Sequence, residues 1–282
     1  MDNALIVNLS ISTWSGHKLD KTKTAELTDA ANAEVDAARV NKHLVSKASL
    51  AAVIKAAGAV RQFFYRAALP WGDNGDRLLG TAGYMAFVDE FAVLKQEFDA
   101  SVEEFIRVRY PAERARAQFR MGDMFVAADY PEPSELWDKF RISLDVHGVP
   151  TAQDLRVQLQ EEDVQRLRGE IETANTDRLR NAMRILWERV FDTVSHFADR
   201  MQEDEKFREA TVRNLHRLID EVPALNITGD PALDALCEEI KTRLGGLDAK
   251  TLRASPPDRE HARQAAAAIA QKMSGMMAGF GN

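Results

Sequence analysis

A mainly α fold, with long antiparallel, coiled-coil-like helices and a small two- to three-stranded β-sheet, follows from three observations. The composition favours helices: the 282 residues are 45% hydrophobic and 29% charged but only 7% aromatic, and Ala, Leu, Glu, Arg and Lys are abundant. From 161 to 202 there is no proline and a single glycine, Gly169. Tyr84, Phe91, Phe98 and Phe105 recur at seven-residue spacing, the period of a helical seam.

The elements follow in order. Leu5, Val7, Leu9 and Ile11 alternate with Ile6, Asn8, Ser10 and Ser12, a strand pattern that "SGHKLD" ends. Lys21 to Leu44 reads as helical with a break near Asn41. A firmer helix starts after Ser46, with Leu50, Ile54, Ala57, Phe64 and Ala68 on one face, and Pro70 follows its end. The seam helix runs from about Tyr84, with Phe87, Leu94 and Val108 on the seam side, until Pro111 ends or kinks it; "AERARAQFR" is a shorter helix beyond. Phe140, Ile142, Leu144 and Val146 form a second strand, and Leu155, Val157 and Leu159 a third, so that the Val7, Ile142 and Val157 segments make one sheet.

Glu161 to about Gln202 is a rod of roughly 60 Å at ~1.5 Å per residue. Phe207 to Val222 is a further helix. Asp230-Pro231 caps the next, which carries Leu233, Leu236, Ile240 and Leu244 and stops at Gly245-Gly246. After the "SPPD" linker, about 258–273 is an alanine-rich helix ending in Met273, Met276, Met277 and Phe280. The expected division is a helical domain with a sheet over 1–250 and a linker with C-terminal helix and tail over 251–282. That tail reads either as a docking peptide or as a frayed end.

The formal net charge of −7 gives a field that does not attract nucleic acid or anionic lipid as a whole, so such contacts need a local patch. Cys237 is the single cysteine; there is no disulfide framework and no CxxC metal spacing, which fits a reducing, cytoplasmic setting. The N-terminal "ALIVNLSIS" is interrupted by Asn8 and Ser10 and follows no basic run, so it is not expected to be a signal segment, and no run approaches the ~20 apolar residues of a membrane span.

The most site-like stretch is "YRAALPWGDNGDRLLG", residues 65–80. Its acids repel phosphate and it lacks the ligand spacing of a calcium loop. It is expected to be a turn, with Trp71 packed down as an anchor and Asp73 or Asn74 capping. No phosphate-loop, dinucleotide, zinc-protease or serine-hydrolase motif is present. Asp192, His196 and Asp199 fall near one helix face, as chance often arranges, and Cys237 sits on an apolar side. No catalytic residue, metal set or cofactor is therefore expected. One local basic feature stands out. No acid lies between Asp36 and Asp73, where Arg39, Lys42, Lys47, Lys55, Arg61 and Arg66 occur. Lys47, Lys55 and Arg66 share a stripe opposite the apolar face, and Arg107, Arg109, Arg114, Arg116 and Arg120 form a second cluster. The stripe either faces solvent and the acidic 161–172 and 199–209 stretches, or contacts phosphate with Phe63 or Tyr65 nearby.

Several stretches resemble a bacterial and phage family known as domain of unknown function 3150: "WSGHKLD" at 14–20, "LPWGDNGDRLL" at 69–79, "AADYPEPSELWDKF" at 127–140, "VPTAQDLRVQL" at 149–159, "FREATVRNL" at 207–215 and "LNITGDPALDAL" at 225–236. The resemblance runs to about Leu244 and carries no catalytic residue. It implies a neighbourhood of MoxR-type AAA+ ATPases and von Willebrand factor A domain proteins. The expected function is thus a non-enzymatic adaptor or assembly partner, of an AAA+ ATPase among other candidates, either monomeric or oligomeric. The alternative is a DNA-associated protein of phage replication or recombination.

Overall fold

The computed structural model describes residues 3–152, 160–202 and 208–278. Along the chain the elements are β1 (Ala4–Ser12), β2 (His17–Leu19), α1 (Lys21–Ala30), β3 (Asn41–His43), α2 (Lys47–Ala67), β4 (Leu69–Pro70), β5 (Arg77–Gly80), α3 (Tyr84–Glu104), α4 (Tyr110–Met121), α5 (Pro133–Leu136), β6 (Arg141–Gly148), α6 (Glu161–Arg200), α7 (Glu209–Leu225), α8 (Pro231–Leu244), α9 (Ala249–Ala254) and α10 (Pro256–Met277). The fold is mainly α with long helices. Four strands form one sheet in the order β4-β5-β1-β6, and β2 pairs with β3 in a separate ribbon. The Val7 and Ile142 strands are neighbours as expected, while the strand expected at Leu155–Leu159 lies outside the described residues. Strands β2 to β5 are absent from the sequence reading; β4 and β5 form an antiparallel hairpin with Leu69 opposite Leu78, and β5 continues onto β1 with Ile6 opposite Leu78.

The chain divides into two compact units. The first comprises Met1–Asn8, Tyr65–Phe87 and Asp145–Asn282; the second comprises Leu9–Phe64 and Val88–Leu144.

In the first unit the apolar stripe of α6 (Leu186, Trp187, Val190, Val194 and Phe197) joins Leu215 and Val222 of α7, Leu233, Leu236 and Ile240 of α8, and Leu78 of the hairpin in one core. Asp230 caps α8 by accepting from Ala232 N–H, and Pro231 follows at the first helical position, as the Asp-Pro signature requires. The stretch expected as linker and tail is placed differently. Ala249–Ala254 is helical, and Ser255 caps α10 through the Asp258 N–H. Ala262, Ala266, Ile269 and Met273 of α10 are buried in the same core as α6. Proline at the first turn starts this helix rather than separating it.

In the second unit Leu50, Val53, Ala57 and Val60 of α2 meet Phe98 and Val102 of α3, with Phe105, Tyr110 and Phe140. Ile54, read from the wheel as inward, is 57% exposed; Val53 takes its place. Residues 31–40 are not helical and Asn41–His43 is a strand, which corrects the helix expected to Leu44. Thr24 Oγ1 accepts from Val40 N–H at 3.0 Å and draws the chain back past α1, while Val35 is left 76% exposed.

The seam helix does not end at Pro111. Phe105–Arg109 forms a π-turn, in which Tyr110 N–H reaches back to Phe105 O, and α4 continues with Pro111 in its first turn. Proline has no N–H to give the previous turn, and the wider loop absorbs that loss. The extra residue re-phases everything beyond it: Phe98 and Phe105 are buried, but Val108 is 63% exposed and Tyr110, Ala117 and Met121 face inward.

Deleting residues 256–282 should therefore lower stability by about 5 kcal/mol or more, since it strips buried Ile269 and Met273 and uncovers α6. A urea melt reads this as an early or non-cooperative transition, and an unchanged midpoint would place α10 outside the core.

Candidate functional site

The two ends of α2 and the surface of α4 carry the residues that matter. At the C-terminal end the half-buried Arg77 donates from Nε to Ala68 O at 2.9 Å and from Nη2 to Tyr65 O at 3.2 Å. Arg189 of α6 donates to Arg66 O at 2.7 Å. These guanidiniums satisfy the carbonyls that every helix end leaves open. Burial, then the charge of Arg189, pushes Arg77 down to about 10, which leaves it charged at neutral pH.

The 65–80 stretch builds this arrangement. Trp71 is 4% exposed, the anchor expected. Asn74, rather than the exposed Asp73, caps the turn: its Oδ1 accepts from Asp76 N–H at 3.3 Å and its Nδ2 donates to Asp76 Oδ2 at 2.9 Å. Asn8 holds the other oxygen of Asp76 at 2.8 Å, and that hydrogen bond, the strongest influence on this carboxyl, keeps it below the ordinary carboxylate range. Gly75, at φ +88, permits the left-handed step. The "LNITGDPALDAL" stretch is equally architectural: Asp230 accepts from Trp187 Nε1 at 3.1 Å, and Asn226 donates to Asp234 at 2.7 Å.

The predicted basic residues separate into two groups. Lys47, Lys55 and Arg61 are exposed on α2 and form no ion pair among the described residues. Arg66 does not continue their stripe, because it pairs with Glu221 of α7, a partner outside the acidic stretches expected for it. Lys42 is buried between Asp129 and Asp20. Phe63 is buried, and Tyr65 lies under the Arg77 guanidinium at 4.9 Å, so Phe63 is closed to a stacking base. In the second cluster Arg107 pairs with Glu103, Arg109 with Glu104 at 2.8 Å and Arg114 with Glu132 at 2.6 Å. Arg116 is exposed and unpaired among the described residues.

Arg109, Arg116 and Arg120 nonetheless converge. With Phe119, Ser46 and Ser49 they line a hollow of about 450 Å³ beside the start of α2. Ala112, Arg116, Phe119 and Arg120 are spaced to share one face of α4, and Phe119 is 90% exposed. Arg120 donates to the backbone carbonyl of His43, and its charge also acts on Glu113 in the same hollow. Glu113 lies in the same hollow and accepts from Ser46 Oγ at 2.6 Å and from Ser49 Oγ. Burial alone would raise the Glu113 carboxyl, but the two hydroxyl donors together with Arg120 outweigh it and hold the group below its ordinary value. The N-terminus of α2 thus already has an anion beside it, supplied by the chain.

Phe119 and this convergence were missed in the sequence. The available signal was the seam itself, whose spacing from Phe91, Phe98 and Phe105 continues through Ala112 to Phe119. The π-turn rotates that position outward.

Asp192, His196 and Asp199 are exposed on α6 and joined by no hydrogen bond among the described residues. Burial pushes the Cys237 thiol up to about 11, so it is protonated and unreactive at neutral pH. Among the described residues no group of three or more His, Cys, Asp or Glu is placed to hold a metal ion, and no helix is long and apolar enough to cross a membrane. Comparison with protein-family models, curated proteins and solved structures returns no match.

Replacing Glu113 with Gln should destabilise the protein by about 1 kcal/mol at neutral pH, the scale of a charge-assisted hydrogen bond. A carboxyl depressed in the folded state stabilises above its unfolded pKa and loses that contribution as pH falls through the folded value. The gap between variant and wild type in urea melts should then close on acidification below about 4.5. A gap constant with pH would mean that the Glu113 charge contributes nothing.

Proposed function

We propose that this chain is a non-enzymatic interaction protein, an adaptor or accessory partner that works through the α4 surface. The observation that carries the reading is Phe119, 90% exposed among arginines. A large aromatic held out of the core, next to cations, is the composition of a contact hot spot. The resemblance to domain of unknown function 3150 supports a MoxR-type AAA+ ATPase, in a bacterial or phage setting, as the partner class. A photo-crosslinking amino acid at position 119, expressed in the native host, tests this against the same probe at exposed Ile54. The expected result is an adduct specific to position 119 that contains an ATPase subunit. An adduct with a different protein overturns the ATPase assignment, and no adduct specific to 119 overturns the interaction reading.

A second reading, a DNA-associated protein, is favoured by exposed Lys47, Lys55 and Arg61 on α2. Phosphate contacts by these cations predict binding that weakens steeply with salt and is abolished by changing all three to Glu. Binding unaffected by the triple change, or undetectable at low salt in a mobility-shift assay, removes it.

A further inference from the structure

The α4 hollow has a charge balance that selects among occupants. Arg109, Arg116 and Arg120 bring three positive charges to it. Glu113 lies inside, and Glu104 is bound to Arg109 at its edge; these two carboxylates leave one net positive charge. A nucleic acid is held by many phosphate contacts, each adding to the salt slope, and a single net charge on this surface does not supply them. One or two carboxylates can be held by Arg116 and Arg120, which form no salt bridge among the described residues, although the charge of Arg120 also favours ionised Glu113. Arginine is suited to that role because its planar donors match a carboxylate.

The apolar part narrows the occupant further. Phe119 and Ala112, on the same face as Arg116 and Arg120, offer an aromatic and a small residue beside the charges. A volume of about 450 Å³ lies in the range of a cleft that takes a small ligand or a few side chains. It does not match a broad globular interface.

We propose that the hollow lined by Arg109, Arg116, Phe119 and Arg120 docks a short acidic segment of a partner protein, with an apolar side chain against Phe119 and an adjacent carboxylate on Arg116 and Arg120. The inference rests on the interaction reading above and names the chemistry of its partner. Glu113 plays a selective part. It blocks a dense run of negative charge while its own oxygen is satisfied by Ser46 and Ser49.

The test uses the full chain and a library of random short peptides, so no host partner is needed. Selection on the wild type should enrich peptides that place Asp or Glu next to an aromatic or aliphatic residue. The best of them, measured by fluorescence polarisation, should bind at least about tenfold more weakly to Phe119→Ala and to Arg116→Glu. Both side chains are exposed, so circular dichroism should show that the variants stay folded. Selection on Arg116→Glu should move the consensus toward basic residues. A neutral or basic consensus on the wild type, no consensus, or an acidic consensus indifferent to Arg116 overturns the proposal. So does tight binding of labelled single-stranded oligothymidine that is lost in Phe119→Ala, which assigns the hollow to nucleic acid. Loss of the acidic preference with the position 119 crosslink intact leaves the interaction reading standing; absence of that crosslink removes the reading itself.

Discussion

The open carbonyls at the C-terminus of α2 set the terms for the first unit. Tyr65, Arg66 and Ala68 present their oxygens where the helix stops and β4 begins, and Arg77 and Arg189 close them. Arg77 is available because the hairpin returns beside the helix end, and the hairpin holds its shape because Trp71 is buried and Asp76 is tied to Asn8 and Asn74. Gly80 then passes so near α7 that a Cβ there would lie 2.5 Å from Ala224 O. The site-like appearance of the 65–80 stretch is thus the signature of a helix end, a tight hairpin and a close backbone approach. Each demands polar, aromatic or glycine residues for structural reasons alone.

The opposite end of α2 is closed by different chemistry. Ser46 and Ser49 give their hydroxyls to Glu113, and Ser46 Oγ also accepts from Ser49 N–H at 3.2 Å. One helix is therefore finished by a carboxylate with hydroxyls at its N-terminus and by guanidiniums at its C-terminus, the polarity its dipole favours. The basic residues of this helix divide accordingly. Those that meet a structural demand, such as Arg66 with Glu221, are partly buried, and Lys47, Lys55 and Arg61 remain exposed.

What was legible in the sequence is what local rules decide. The bounds of α8 follow from Asp230-Pro231 and Gly245, and the length of α6 follows from the absence of breakers, because caps and propensities act within a turn. The segment 31–40 was misread because its fate depends on the β2–β3 pairing and on the Thr24–Val40 hydrogen bond, neither of which leaves a periodic trace. The β4–β5 hairpin has too short a first strand to show alternation. At the candidate site the cations were plain, but their counter-ions were not: Arg114 finds Glu132 and Arg66 finds Glu221 only after folding. Phe119 was hidden for the opposite reason. Its spacing fits the seam, and only the π-turn breaks that fit.

That π-turn gives the α4 surface an unusual dependence. With ~100° of rotation per residue, closing Phe105–Arg109 as ordinary α-helix with no residue removed would bring Phe119 back into phase with Phe98 and Phe105 and turn Ala117 and Met121 outward. The identity of the residues on the helix would not change, yet the surface would be lost. Because the wider turn takes up one residue, a deletion inside it would instead leave the phase of α4 as it is. What keeps an aromatic side chain in solvent among arginines is therefore the pairing of that turn with the residue it absorbs.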